Sequence, residues 1–388
     1  MALAGNEALS SFDQGANRED LSDVLAMMIE KDLETTLNLI GGAKGAAKAT
    51  KHEWPEGELD SMYAVLSSTP LAYNETEAVM DTGEGAKFRI GTLFRFDDGY
   101  DEVLQVTNIS GDTLTVTRGY GSTSIPAGNA SHAAAAGVII ISHPVQEDTD
   151  PINWEAIVRT VEYNYSHVYY KTTKVSDTQE AVDKAGVTSE ISWQVENKLK
   201  EIMREMNVNT LLGIRSANAG SAAAYRSSGG IIEFVNAAGG NVIDAAGGET
   251  TETRLNNLLE DVYDDGGGQD GNLTLIVGPT QKRNISAIWK EYRRIGGSDT
   301  KVGGKVESFD SDFGTVDVLM ERALKGLPDV ILCVDKSRIA FMPLQGLPVS
   351  TRELPKTGRA HKREISGEYT LEVRNGLKAH GYMYGLAS

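Results

Sequence analysis

The sequence predicts an α+β protein of two or three packed units, and three patterns predict it. Short alternating runs separated by Gly turns fill residues 93–141, the mark of hairpins. Apolar residues recur at helical spacing over about 189–214. Helix and strand patterns then alternate from about 252 to 334, and a last strand pattern follows at 369–373. A length of 388 residues exceeds what a single compact core ordinarily serves.

Residues 1–54 read as an arm with little core of its own. The polar run Asn17-Arg18-Glu19-Asp20 caps a helix from Leu21 to about Leu39, with Leu21, Val24, Leu25, Met28 and Ile29 at helical spacing. Gly41-Gly42 stops that pattern. Segments of this kind gain stability by lying on neighbours.

Residues 55–150 form a strand-rich excursion. Leu93, Arg95 and Phe96 lead to a turn at Asp97-Asp98-Gly99, and Val103, Leu104 and Val106 follow. Ser110-Gly111-Asp112 then turns the chain into Thr113-Leu114-Thr115-Val116-Thr117, which alternates cleanly. Val138–Ile141 supply another strand, after a small-residue loop from Ser122 to Ala136. Meandering hairpins or a small barrel both satisfy this spacing.

Residues 151–222 begin with an extended stretch carrying Val161, Tyr163, Tyr165, Val168 and Tyr170. A long helix is predicted next, from about Ser189 to Ile214, with Ile191, Val195, Leu199, Ile202, Met206 and Leu211 on one stripe. Glu196 and Lys200 form a favourable i,i+4 pair on it. At about 1.5 Å per residue this rod is roughly 40 Å long.

Residues 223–346 read as a mixed α/β unit. A helix spans Glu252 to Val262, and Gly266-Gly267-Gly268 breaks it. Leu273–Val277 is a buried strand, Pro279 opens a helix bearing Ile285, Ile288, Trp289 and Tyr292, and Val316–Met320 and Val330–Val334 are further strands. In residues 347–388, Tyr369, Leu371 and Val373 alternate with polar partners, and Leu377–Leu386 is expected to continue that strand. A terminal strand of this kind closes the fold back onto the third segment.

Composition bounds the function. The formal net charge is -18, so the surface repels nucleic acid, which argues against a sequence-reading DNA protein. A container for DNA suits this balance, and acidity that serves only solubility suits it equally. The single cysteine, Cys333, lies in an apolar run, which excludes a disulfide within the chain or a cysteine-held metal cluster and points to a buried thiol. That usage fits a reducing cytoplasm. No signal peptide opens the sequence, and no apolar run is long enough to span a bilayer.

Catalytic patterns fail on spacing. None of the six histidines pairs at i,i+4, and no Gly-x-Ser-x-Gly elbow is present. The Gly-rich run Gly296–Lys305 has Asp299 where a phosphate loop needs its first Gly, and Val306 where it needs Ser or Thr. Asp264-Asp265 with Asp270-Gly271 hints at calcium, but Leu275 stands at the twelfth position. Asp312-Phe313-Gly314 copies a kinase tripeptide without the rest of the set. No catalytic residue, cofactor or metal is therefore expected.

One basic cluster stands out, Lys282, Arg283, Lys290, Arg293 and Arg294, on the helix that Pro279 opens. It reads as a solvated helix face, as an assembly contact with an acidic patch on a neighbouring subunit around Asp264 and Asp265, or as a contact with enclosed DNA. Gly229-Gly230 and Gly266–Gly268 read as adjustable joints or as plain loops.

The order of the segments, together with local phrases, resembles the major capsid proteins of tailed double-stranded DNA bacteriophages, a fold shared with encapsulins and the herpesvirus capsid floor. The phrases are Arg18-Glu19-Asp20-Leu21, His52-Glu53-Trp54, Asp112-Thr113-Leu114-Thr115-Val116-Thr117-Arg118-Gly119 and Ser176-Asp177-Thr178-Gln179-Glu180-Ala181-Val182. Phe309–Val318, Lys356-Thr357-Gly358 and Glu368-Tyr369-Thr370-Leu371-Glu372-Val373 complete the series, which spans nearly the whole chain. The resemblance implies an N-arm at 1–54, an extended loop with a β insertion at 55–150, a peripheral domain with a spine helix at 151–222, an axial domain at 223–346, and C-terminal strands completing the peripheral domain at 347–388. It implies a homo-oligomer of hexameric and pentameric capsomers forming an icosahedral shell that encloses double-stranded DNA without reading its sequence. Portal, scaffolding and decoration proteins are the implied partners, no membrane is involved, and the place of assembly is the host cytoplasm. An encapsulin-type cargo compartment is the alternative of the same fold. An enzyme with an unrecognised site, or a tail or baseplate protein, is the alternative from another class.

Overall fold

The structure, a computed structural model, describes residues 35–41, 45–57, 59, 61–126, 131–147, 159–182, 187–217, 225–237, 239–268, 271, 273–288 and 308–387. These divide into two compact units. One holds the described residues up to Trp54 and from Val161 onward, and the other is Pro55–Thr160.

In the first unit, a strand of 14 residues, Ala360–Val373, organises a four-stranded sheet. His167–Ser176 runs antiparallel along one side of it, from Ala360 opposite Ser176 to Tyr369 opposite His167. Ser350–Glu353 and Ile339–Pro343 pair along the other side. The expected return of the C-terminal strand onto the third segment is thus found.

The predicted long helix is Glu190–Leu212. The Ser189 hydroxyl accepts from the Ser192 N–H at its start, and Gly213 ends it. Ile202, Met206 and Leu211 are buried against the sheet, whereas Ile191, Val195 and Leu199 are half-buried, so only the second half of the stripe is fully covered. Tyr169 lies under this helix with its hydroxyl held by Asn209 at 2.9 Å, and burial raises its phenol above the ordinary range. Glu196 and Lys200 pair at 2.7 Å as expected, on the exposed face, where such a contact adds about 0.3–0.5 kcal/mol. The described part of the arm helix, Thr35–Ile40, packs on the same helix, where the Asn207 side chain accepts from the Thr36 N–H at 3.0 Å. The rest of the predicted helix, 21–34, lies outside the described residues.

A six-stranded sheet forms the second layer, in the order Asn241–Asp244, Gly381–Tyr384, Ile331–Asp335, Leu273–Val277, Gly314–Met320 and Ser308–Ser311. Its two central strands, Leu273–Val277 and Ile331–Asp335, are buried at every position. Alternate residues serve two cores, as the period of two requires. Ile276, Leu332 and Val334 face the core that contains the spine helix. Leu275, Val277, Ile331 and Cys333 face the core under the helix Glu252–Asp264. Cys333 is fully buried, and burial pushes its thiol up to about 12, so it is the inert structural thiol that the apolar run implied.

Two expectations are corrected here. The last strand does not continue from Val373 through 377–386. The chain turns at Asn375, whose φ is 50°, and Gly381–Tyr384 inserts into the other sheet between Asn241–Asp244 and Ile331–Asp335. A side chain at Gly381 would stand 2.8 Å from Leu258 Cδ1, so the sequence at this strand is read by the helix packed over it. The glycine pair at 229–230 is no open joint either. Both residues are buried, and a Cβ at Gly230 would sit 2.7 Å from the Leu211 carbonyl oxygen, so glycine is present to allow close backbone approach.

Near that turn, His380 is fully buried, and its Nδ1 accepts the Asp335 N–H at 3.1 Å. Burial lowers its imidazole to about 4, outweighing the opposite pull of Asp335. The unfolded chain takes up this proton near pH 6.5, so the contribution of neutral His380 is complete above that pH and is lost as pH falls toward 4. The loss amounts to about 3 kcal/mol. Urea unfolding at pH 7 and pH 4.5 is expected to show it in the parent and to show a shallower pH slope in His380→Gln; equal slopes would reject the assignment.

The second unit is a closed six-stranded barrel. The order is Tyr63–Val65, Gly137–Ser142, Leu93–Phe96, Leu104–Ser110, Thr113–Thr117 and Glu77–Val79, antiparallel throughout. The first and last strands are joined by the Leu66–Met80 bridge, with Ser67 N–H donating to Val79 O and Asp81 N–H to Val65 O, both at 2.9 Å. Of the two arrangements open to the sequence, closure is the one adopted, and it removes the sheet edges. Phe94, Phe96, Leu104, Leu114 and Met80 fill the interior.

Candidate assembly surface

The sequence singled out basic and acidic residues of the third and fourth segments, and the structure separates them. Lys282 is not on a solvated face: it is 7% exposed, and its ammonium donates to the Val318 carbonyl. It lies within the helix Pro279–Ile288, one side of which packs on the sheet through Gln281 and Ile285. A lysine at that position is therefore consumed internally, and it leaves the predicted basic surface. Arg283, its neighbour, is exposed. Lys290, Arg293 and Arg294 lie outside the described residues.

Asp264 and Asp265 are exposed at the C-terminal end of the helix Glu252–Asp264. Burial and the like charges of Glu260, Asp264 and Asp265 hold the Asp261 carboxyl above its usual value. The carbonyl ends of the helix add partial negative charge there. The arrangement concentrates negative charge at this end of the helix.

Two further surfaces were missed by sequence reasoning. The strand His167–Ser176 pairs only with Ala360–Val373, so along its 10 residues the other edge has no strand partner among the described residues. Val168 and Tyr170 on its outer face are each 53% exposed. A groove of about 450 Å³ runs between this strand and the spine helix, lined by His167, Lys171, Glu201, Arg204, Glu205 and Val208. Lys171 and Glu205 pair across it at 2.9 Å. Burial lowers the His167 imidazole, and its Nδ1 has no hydrogen-bond partner among the described residues. An unpaired strand edge offers backbone donors and acceptors to which an extended chain can add. Alternating tyrosine and valine from 161 to 170 signalled the strand, but edge and centre differ only in what lies beside them.

The barrel carries the other surface. Its strands Leu104–Ser110 and Thr113–Thr117 turn Gln105, Thr107, Thr115 and Thr117 outward. Its strands Tyr63–Val65 and Gly137–Ser142 turn out Tyr63 opposite Ile139, with Val65 and Ile141. One wall is thus polar and the other apolar, although every strand alternates in the same way.

Among the described residues, no group of three or more His, Cys, Asp or Glu side chains is placed to hold a metal ion, and no helix is long and apolar enough to cross a membrane.

Residues 8–387 match the family model described as SU10 major capsid protein. The chain belongs to that family. It is a structural protein of a bacteriophage capsid, and it forms the shell. No curated protein matches it by sequence. Among solved structures, the capsid of a native GTA particle is 10% identical, with 99% of this chain and 100% of that one covered at a TM-score of 0.51. The capsid of an empty GTA particle gives 9% identity, 94% and 100% coverage, and a TM-score of 0.51. The structure named for Mycobacterium phage Cain is 11% identical over 97% of this chain and 98% of that one, with a TM-score of 0.49. The GTA likenesses show the fold: this SU10-family capsid protein is built as those capsid subunits are, and its α+β arrangement of arm, β-rich excursion, spine helix and mixed sheet is the one the sequence predicted.

Proposed function

We propose that this capsid protein assembles into hexameric and pentameric capsomers and through them into an icosahedral shell around double-stranded DNA. The observation that carries the proposal is the unpaired edge of the strand His167–Ser176, flanked by exposed Val168 and Tyr170. Such an edge is a hazard on a lone subunit and a junction in a shell. Each contact is weak, but closed geometry makes many of them simultaneous. Residues 1–54 serve as the arm, 55–150 as the extended loop with the barrel as its insertion, 151–222 and 347–388 as the peripheral domain, and 223–346 as the axial domain. The strand Ile339–Pro343 pairs in the sheet of the peripheral part and Gly381–Tyr384 in that of the axial part, so the two exchange strands. Arg283 with Asp264 and Asp265 supply charge contacts between axial domains of adjoining copies, together with Lys290, Arg293 and Arg294. The net charge of -18 keeps the wall from holding its contents, so DNA is enclosed and not read. Assembly takes place in the host cytoplasm with a portal and with scaffolding or decoration proteins, and the protein has no catalytic role.

Negative-stain microscopy and native mass measurement of the expressed protein, alone and with its genomic neighbours, test this. Capsomers or megadalton shells are expected; a compact monomer that turns over a small molecule would overturn the reading. Shells that close around a co-expressed enzyme and never take up DNA would favour the cargo compartment. For the edge itself, Val168→Glu with Tyr170→Glu is expected to lower the assembled fraction at least about tenfold. The same pair should leave the urea midpoint of the unassembled subunit unchanged, since both side chains are exposed.

A further inference from the structure

His132 lies in the small-residue loop that follows the barrel's fifth strand in chain order, and it is fully buried. Its N–H donates to the Leu71 carbonyl at 3.0 Å, which fastens the loop to the barrel. Both ring nitrogens meet carboxylates. Nδ1 stands 2.6 Å from Asp98 Oδ2, and Nε2 stands 3.0 Å from Glu102 Oε2. Glu102 is fully buried as well and is gripped on its other side by Arg118, through Nε to Oε1 at 2.9 Å and Nη2 to Oε2 at 2.6 Å. The Gly119 N–H donates to Glu102 Oε1 at 3.1 Å. The second guanidinium arm, Nη1, donates to the Ala72 and Tyr73 carbonyls at 2.7 and 3.0 Å. Phe96 stacks on the imidazole at 4.0 Å between centroids, and Tyr100 meets it edge-on at 5.8 Å. The remaining nearby pair, Arg95 with Asp101, lies 3.6 Å apart with Asp101 exposed.

A neutral imidazole has one donor and one acceptor. Facing two carboxylates, it would set a lone pair against an oxygen lone pair in a buried site. A ring with a proton on each nitrogen donates twice. The four side chains then sum to zero, His132 and Arg118 positive against Asp98 and Glu102 negative, as a buried charged group requires. Burial pushes the Glu102 carboxyl up, but the hydrogen bonds from Arg118 and His132 outweigh this and hold it below its usual value, so its charge is kept.

We infer that His132 is held as the imidazolium and acts as a latch. It ties the 131–136 segment to the 97–102 loop, while Arg118, through Glu102, ties both to the 72–73 segment. The latch holds while the ring keeps both protons and its partners keep their charge. The inserted barrel is therefore fastened by a ring that needs a proton on each nitrogen, whatever its copies contact in the shell.

Assembled particles or capsomers of the full chain, labelled with ¹⁵N-histidine, provide the test by solid-state NMR at neutral pH. One of the six histidines is expected to show protons on both ring nitrogens, and its signal should vanish in His132→Gln. A His132 ring with a single proton at neutral pH would overturn the inference. Proteinase K gives a second readout on unlabelled protein. In the parent, cleavage within residues 122–136 should be slow at neutral pH. In His132→Phe, which keeps the stacking and loses both donors, it should be about tenfold faster or more at the same pH. Parent cleavage that tracks the variant at neutral pH would also overturn it.

Discussion

Replacing Arg118 by Met is expected to open the end of the barrel where Glu102, Ala72 and Tyr73 converge. Arg118 is 5% exposed and Glu102 fully buried, so the substitution leaves a carboxylate without its bidentate partner in a site that water cannot reach. Two backbone carbonyls lose their donor at the same time. Breaking one side of a buried ion pair costs about 3–5 kcal/mol, several times what an exposed pair contributes. Most of that cost is the stranded charge, and not the attraction that is lost. The companion variant Arg118→Met with Glu102→Gln removes the charge and should recover a large part of the loss. Hydrogen exchange by mass spectrometry reads both outcomes: faster exchange across residues 71–136 in the single variant, partial recovery in the double, and no change over 273–277 or 331–335. Equal protection in the parent and the single variant would show that the ion pair does not hold the barrel.

The second large effect belongs to the central sheet. Leu332→Ala empties a fully buried position on the strand Ile331–Asp335, directly opposite Ile276 in the register. Both side chains face the core shared with the spine helix, and the backbone on either side is locked in a ladder, so the surroundings collapse little. A loss of about 2–5 kcal/mol is expected by urea unfolding of the unassembled subunit. Ile276→Ala should cost a similar amount, and the double variant should cost less than the sum, because the two truncations share one cavity. Strict additivity would mean that the two residues do not pack together. Cys333→Ala, one position along, faces the opposite core and removes only a sulfur atom; a much smaller loss is expected there.

A capsid protein gives a particular meaning to these numbers. The unassembled subunit has to stay folded long enough to find its neighbours, and a stability of the ordinary size is removed by one or two such substitutions. Core variants are therefore expected to lower shell yield through the subunit pool. Substitutions at the exposed pair Val168 and Tyr170 are expected to act on association alone.

Much was legible in the sequence, because local patterns decided it. The helical period of Ile202, Met206 and Leu211, the all-apolar run Leu273–Val277, and the alternation of Thr113–Thr117 each specify an element and its buried face without reference to anything distant. The order of those elements, together with local phrases such as Asp112–Gly119 and Ser176–Val182, carried the resemblance to capsid proteins. What tertiary structure alone decided is how partners far apart in the chain meet. Barrel closure rests on Leu66 meeting Met80, and the last strand leaves its sheet because Leu258 and Val262 leave room only for Gly381. Lys282 read as a surface charge until its ammonium was seen to donate to the Val318 carbonyl, and His132 read as one loop residue among alanines until Asp98 and Glu102 closed on both its nitrogens. The physical reason is the same in each case: periodicity states which face of an element is covered, whereas the energy of a buried polar group depends on the atoms that surround it, and those come from elsewhere in the chain.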